Sequence, residues 1–166
     1  IFGGVPYYWG FLKKGLSLSQ NIDSILFEKD APLRDEFKYL YASVFKKPEN
    51  YVKIIEALGT KKVGMTREEI ITATKIPNSG DLTTKLEELE SCGFIRKYNA
   101  FGMKKKNAIY QLMDYFTLFY FKFLKSEPTD GHFWTNQINT PAVNTWLGLA
   151  FERVCMEHVD QIKFKL

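Results

Sequence analysis

The stretch TREEIITATKIPNSGDLTTKLEELESCGFIRKY, residues 66–98, decides the fold. Thr66 with Glu69 three residues on is a capping box, so a helix opens here and runs through Ile70, Ile71 and Ala73. Ile76-Pro77-Asn78-Ser79-Gly80 is a tight turn, since proline cannot continue the helix and the residues after it favour turns. Ser79 or Asp81 starts a second helix with Leu82, Leu86 and Leu89 inward, closed by Cys92-Gly93. Phe94 to Tyr98 reads as a strand, Asn99 to Asn107 as a loop, and Ala108 to Leu112 as the returning strand.

Just upstream, Pro48 opens a helix carrying Tyr51, Ile54, Ile55 and Leu58 and ended by Gly59. Helix, helix, turn, helix and hairpin is the order of a winged helix-turn-helix. Toward the N-terminus, residues 6–14 read as a short helix closed by Gly15. Ser17 or Ser19 caps a second, with Leu18, Ile22, Ile25 and Leu26 as its stripe. Pro32 fits the first turn of a helix over about 32–46 with Leu33, Phe37, Leu40, Tyr41 and Val44 at helical spacing. Toward the C-terminus, Asp114 caps an aromatic helix that is apolar all round and so buried on most sides. Ser126 to Thr140 reads as a polar, irregular link. Pro141 begins a long last helix with Val143, Leu147, Phe151, Val154, Cys155, His158 and Ile162 on its inward side. The chain is therefore mainly α.

The 166 residues suit one ordinary domain or two small ones, and 45% hydrophobic content supports a real core. A formal charge of +4 permits contact with nucleic acid without demanding it. Two cysteines, Cys92 and Cys155, make no disulfide framework, so reduced thiols in a cytoplasmic protein are expected. No run reaches the roughly 18 apolar residues of a membrane span, and no secretory signal pattern opens the chain. Ile1 enters directly into a Gly-Gly turn and the last residues carry no cap, which predicts a piece of a longer polypeptide.

The chemistry-bearing patterns are few. Gly59 to Thr66 has the glycines and threonine of a phosphate loop, but Met65 stands where the lysine must reach the phosphates, and a helix rather than a strand precedes it. The hairpin is the basic spot: Arg96 and Lys97 lead in and Lys104, Lys105 and Lys106 sit near its tip, where they can ride on DNA phosphates or keep a solvated edge soluble. The helix that would enter a major groove carries Asp81, Glu87, Glu88 and Glu90 against Lys85, a net −3. That composition opposes base reading, which leaves Thr83 and Thr84 as candidate contacts. Cys155 and His158 form a lone half-site without a second pair, so core is the reading and no metal is expected. His132 has no visible partner, and no serine or cysteine sits in a nucleophile motif. Gly3, Gly4 and Pro6 make a sharp turn into a helix start carrying Tyr7, Tyr8, Trp9 and Phe11.

Taken together, GGVPYY at 3–8, IYQLMDYFTLFYFKFL at 109–124 and GLAFERVC at 148–155 resemble the downstream half of archaeal-type P-loop ATPases of the AAA+/STAND class, many of them found in bacteria. The resemblance covers essentially the whole chain. It implies a helical lid subdomain over 1–47, a winged helix-turn-helix with a small β-hairpin wing over 48–113, and C-terminal helices over 114–166 that begin a restriction-endonuclease-like domain. It implies that Gly3, Gly4 and Pro6 lie close to a nucleotide whose phosphate loop, with ATP and Mg, belongs to an ATPase core preceding residue 1. Glu152 would match an early acidic nuclease position whose companions lie beyond Leu166. The expected role is then a non-catalytic fragment that senses nucleotide state and couples domains, its partner being the ATPase core of the same polypeptide. The alternatives are a winged-helix module holding double-stranded DNA through its basic wing, and part of a DNA-cleaving enzyme.

Overall fold

Side-chain caps set where several of the helices begin. In chain order the elements are α1 (Pro6–Trp9), α2 (Leu18–Ile22) running on as a π-helical turn over Asp23–Phe27, α3 (Glu36–Val44), α4 (Glu49–Gly59), β1 (Met65–Thr66), α5 (Arg67–Thr74), α6 (Gly80–Ser91), β2 (Ile95–Tyr98), β3 (Ile109–Leu112), α7 (Tyr115–Phe119) continued by a π-helical turn over Tyr120–Leu124, α8 (Phe133–Gln137), α9 (Pro141–Glu157) and α10 (Val159–Lys165). The computed structural model describes residues 1–2, 5–99 and 108–165. Over these residues the protein is mainly helical, with a three-stranded antiparallel sheet. Ser17 with Gln20 and Thr66 with Glu69 close reciprocal capping boxes on α2 and α5. The Ser79 hydroxyl accepts from the Leu82 N–H, and Asp114 accepts from the Thr117 N–H at 2.7 Å. Each such cap contributes about 1 kcal/mol.

The chain divides into two compact units. One comprises Ile1 and residues 35–122. Its sheet runs β1-β3-β2, with Met65 opposite Tyr110 and Ile95 opposite Leu112. Two-residue β1 leaves no period in the sequence and was not expected; it forms because β3 has a free edge beside the turn at Gly64. Ile54, Ile55, Leu58, Ile70, Leu82 and Leu89 are fully or almost fully buried beneath the sheet and helices. Tyr41 and Thr117 share a buried hydrogen bond of 2.9 Å between their hydroxyls. The expected helix over 32–46 is shorter, because the Leu33 N–H donates to the Ile25 carbonyl and holds residues 32–35 in turns.

The other unit comprises residues 2–34 and 123–166. Every residue from 21 to 27 is buried, which a one-sided helical stripe does not do. The segment is instead enclosed, and polar bonds fix its surroundings. The Asp23 carboxylate, 1% exposed, accepts from the Trp134 N–H at 2.7 Å and the Thr135 N–H at 3.1 Å. Arg34 donates to the carbonyls of Phe27 at 2.8 Å, Glu28 at 3.3 Å and Pro128 at 3.2 Å. Residues 126–140, expected as an irregular link, therefore contain α8. It has no side-chain cap of its own from His132; Asp23 supplies the cap, and Trp134 packs edge-on against Phe123 at 5.3 Å and Trp146 at 6.3 Å.

The last helix also departs from expectation. It breaks at His158 into α9 and α10, and of the stripe read as inward only Val143 is buried. Leu147, Phe151, Val154, His158 and Ile162 are exposed and Cys155 is half-buried. Helical periodicity identifies an apolar stripe but not whether another element covers it, and no described element covers this one beyond its first turns.

Three substitutions check this architecture by chemical denaturation. Gly64 has φ +85, and a Cβ there would meet the Tyr110 carbonyl and come within 2.8 Å of Ile109 Cγ2, so Gly64→Ala should lose about 3 kcal/mol. Asp23→Ala, which strips the cap from α8, should lose about 2 kcal/mol. Gly148→Ala, mid-helix with open space around it, should be neutral or gain up to about 1 kcal/mol.

Candidate functional site

Among the described residues, the candidates for nucleic-acid contact fall on α6 and β2, and their hydrogen bonds decide what that surface can offer. Thr83 and Thr84 are exposed, as a binding role requires. Their hydroxyls, however, donate back to the Ser79 and Gly80 carbonyls at 3.4 and 3.2 Å, the local bonding that helical threonines favour. Lys85 lies 2.5 Å from Asp81, its ammonium 5.3 Å from the Tyr51 ring centre. Glu88 accepts a short hydrogen bond from the Tyr51 hydroxyl. Burial, and then this bond and the Glu88 charge, push the Tyr51 phenol up to about 12. Glu90 turns toward the sheet and accepts from the Lys97 N–H at 3.2 Å, covering a donor on the edge of β2.

The hairpin register puts Arg96 opposite Gln111 and Lys97 opposite Tyr110. Arg96 Nε donates to Gln111 Oε1 at 2.8 Å, and its guanidinium lies 5.2 Å from the Tyr98 ring centre. Gln111 in turn donates to the Lys62 carbonyl at 2.6 Å, and the Tyr98 hydroxyl donates to the Val63 carbonyl at 2.7 Å. Arg96 is thus the head of a polar chain that pins the 61–64 loop onto the sheet. Lys97 is exposed, its ammonium 5.7 Å from the Tyr110 ring centre. Lys104, Lys105 and Lys106 lie outside the described residues, as do Gly3 and Gly4. The structure brings Thr83, Thr84, Arg96 and Lys97 into one unit, with Thr83, Thr84 and Lys97 exposed and Arg96 half-buried.

The phosphate-loop lookalike is the connection from α4 to β1. Met65 is in the strand, and Lys61 is 2.5 Å from Glu69, whose carboxyl is held below its ordinary range by that bond and by the Thr66 N–H. Pro6 is the first residue of α1 and is exposed, with Tyr7 and Trp9 exposed beside it and Tyr8 buried. Glu152 is exposed on α9, next to an exposed Phe151. His158 Nδ1 lies 2.9 Å from the Val154 carbonyl of its own helix, and His132 is exposed at the head of α8. Among the described residues no three His, Cys, Asp or Glu side chains gather to hold a metal. Nor is any described helix long and apolar enough to cross a membrane.

The sequence reading missed Gln111, Tyr51 and Asp23. Gln111 had a signal, since it alternates with Tyr110 and Leu112 on a strand. Tyr51 and Asp23 had none, because their partners are 37 and 111 residues away.

No family model matches the chain, and no solved structure matches it. It is similar to "Uncharacterized protein MJECL04" of Methanocaldococcus jannaschii, 30% identical over 166 aligned residues that take in 96% of this chain and 36% of that protein. The chain thus spans about a third of the length of the curated relative it matches.

Tyr51 supplies a pH test. Its phenol is raised in the folded state above the ordinary value of 10, so the protonated form is preferred by the fold. The stability this contributes is complete below pH 10 and is lost as pH rises toward about 12. Ultraviolet titration should show a late phenolate contribution that is missing in Tyr51→Phe; an unchanged titration in that variant would refute the assignment.

Proposed function

We propose that this chain is a non-catalytic lid and winged-helix segment of a larger ATP-binding P-loop ATPase, where it senses nucleotide state and couples it to neighbouring domains. The observation that carries the protein-facing role is α6. Its outward side chains are mostly carboxylates and its threonine hydroxyls are bonded to their own helix, a surface that repels phosphates and lacks donors for base edges. The succession α4, β1, α5, α6, β2, β3, with β3 between the other strands, is consistent with a winged helix-turn-helix. The ATPase part rests on the resemblance at 3–8, 109–124 and 148–155. It also draws on a match that takes in 36% of a longer relative, which leaves ample length for a nucleotide-binding core in such a polypeptide. In this reading, which follows the resemblance, Gly3, Gly4 and Pro6 belong near the nucleotide of the full-length parent, and ATP and Mg are held by the parent.

A second reading has a specific observation behind it. Lys97 is exposed on the hairpin that leads to Lys104, Lys105 and Lys106, and a wing of that kind can hold duplex phosphates without reading sequence. The nuclease reading rests on Glu152 alone; it needs a chain extended past Leu166 whose Mg-dependent cleavage is lost in Glu152→Ala.

Fluorescence anisotropy with a labelled random duplex separates the first two. The protein-facing role predicts no salt-sensitive binding, and no ATP turnover by this chain alone. Binding that weakens with salt and disappears when Lys97, Lys104, Lys105 and Lys106 are changed to Glu would transfer the assignment to DNA.

A further inference from the structure

A cavity of about 370 Å³ lies inside the unit formed by residues 2–34 and 123–166, a size within the roughly 300–1,000 Å³ of small-molecule sites. One side of it is the segment that carries Phe11 and Lys13. Buried Asn21 holds that segment: its Oδ1 accepts from the Lys13 N–H at 2.7 Å and its amide donates to the Lys13 carbonyl at 3.2 Å. Another side is the π-helical turn, which contributes Ser24 and Ile25, both buried. Such turns recur at functional sites. The remaining lining comes from the stretch between Glu28 and Pro32. Arg34 fixes the start of that stretch by donating to the Phe27 and Glu28 carbonyls at 2.8 and 3.3 Å, and the Leu33 N–H ties its end to the Ile25 carbonyl at 3.0 Å. The cavity is therefore preformed, as ligand sites usually are. We propose that it binds a small zwitterion with an apolar body, an aliphatic α-amino acid.

The charges select that class of ligand. Lys13, Lys29, Glu28 and Asp30 all line the cavity and are exposed. Among the described residues none of these four side chains forms an ion pair. Two cations and two anions cancel, so a ligand of one sign meets repulsion as well as attraction. A ligand with an ammonium and a carboxylate finds a partner for each. Ser24 adds a polar contact: its hydroxyl donates to the Asn21 carbonyl at 3.2 Å, which leaves its oxygen to accept from an ammonium. Phe11, Ile25 and Pro32 supply the apolar surface that an aliphatic side chain would cover. The site shares no residue with the segments 3–8, 109–124 and 148–155 that carry the ATPase reading, and it stands or falls separately from it.

Isothermal titration calorimetry of this chain with L-leucine tests the assignment. Leucine should bind saturably at one site per chain. Leucine amide, which lacks the carboxylate, and N-acetylleucine, which lacks the ammonium, should each bind weaker by about tenfold or more. Lys13→Ala with Lys29→Ala, and separately Glu28→Gln with Asp30→Asn, should each weaken leucine about tenfold. Helix content by circular dichroism should stay unchanged in both double variants, since all four side chains are exposed. Absence of both binding heat and a melting-temperature shift with leucine at on the order of 10 mM overturns the proposal. Equal binding of the amide or the N-acetyl derivative overturns the zwitterion. Leucine binding that both double variants leave unchanged puts the ligand elsewhere and overturns the site.

Discussion

The carboxylate of Asp23 accepts backbone N–H bonds from residues 111 and 112 positions further along the chain. A carboxylate buried this far is expensive unless its lone pairs are filled, and the N-terminus of α8 fills them with aligned donors. The dependence is mutual. A five-residue helix with no cap of its own is too short to persist alone, and it exists where Asp23 holds its first turn. Arg34 makes the complementary bond, binding carbonyls at the end of the π-helical turn and the Pro128 carbonyl. Residues 2–34 and 123–166 thus form one unit although 88 positions of the other unit lie between them in sequence.

Hydrogen bonding also governs what the other unit presents. A hairpin with arginine and lysine invites a phosphate, yet Arg96 already serves Gln111, and through it the Lys62 carbonyl. Glu90 takes the Lys97 N–H. The same residues that look like ligand contacts in sequence therefore stitch the sheet, its edge and the 61–64 loop together. Among the described residues, what is left facing outward is chiefly acid on α6 and the Lys97 ammonium on β2. This balance, rather than the net charge of the whole chain, sets the local field, since at about 0.15 M salt charges more than about 8 Å apart are largely screened.

Residues 66–98 were legible because every device in them is local. The capping box at Thr66, the Ser79 cap, the leucines of α6 and the Ile95–Tyr98 strand each act within one or two turns of chain. The same holds for Ser17 and Asp114. Thr83, Thr84, Arg96 and Lys97 share a unit, but what their side chains bond to depends on partners that local pattern does not name.

The sequence by itself determined the mainly helical composition, the starts of α2, α5, α6, α7 and α9, and the hairpin strands, because caps and periodicity are properties of neighbouring residues. Tertiary structure alone decided the rest. It ordered α8, added β1 to the edge of β3, bonded Tyr51 to Glu88, and left Leu147, Phe151, Val154 and Ile162 exposed. Each of these turns on what lies across space from a residue, and burial of an apolar stripe is a fact about its neighbour rather than about the stripe.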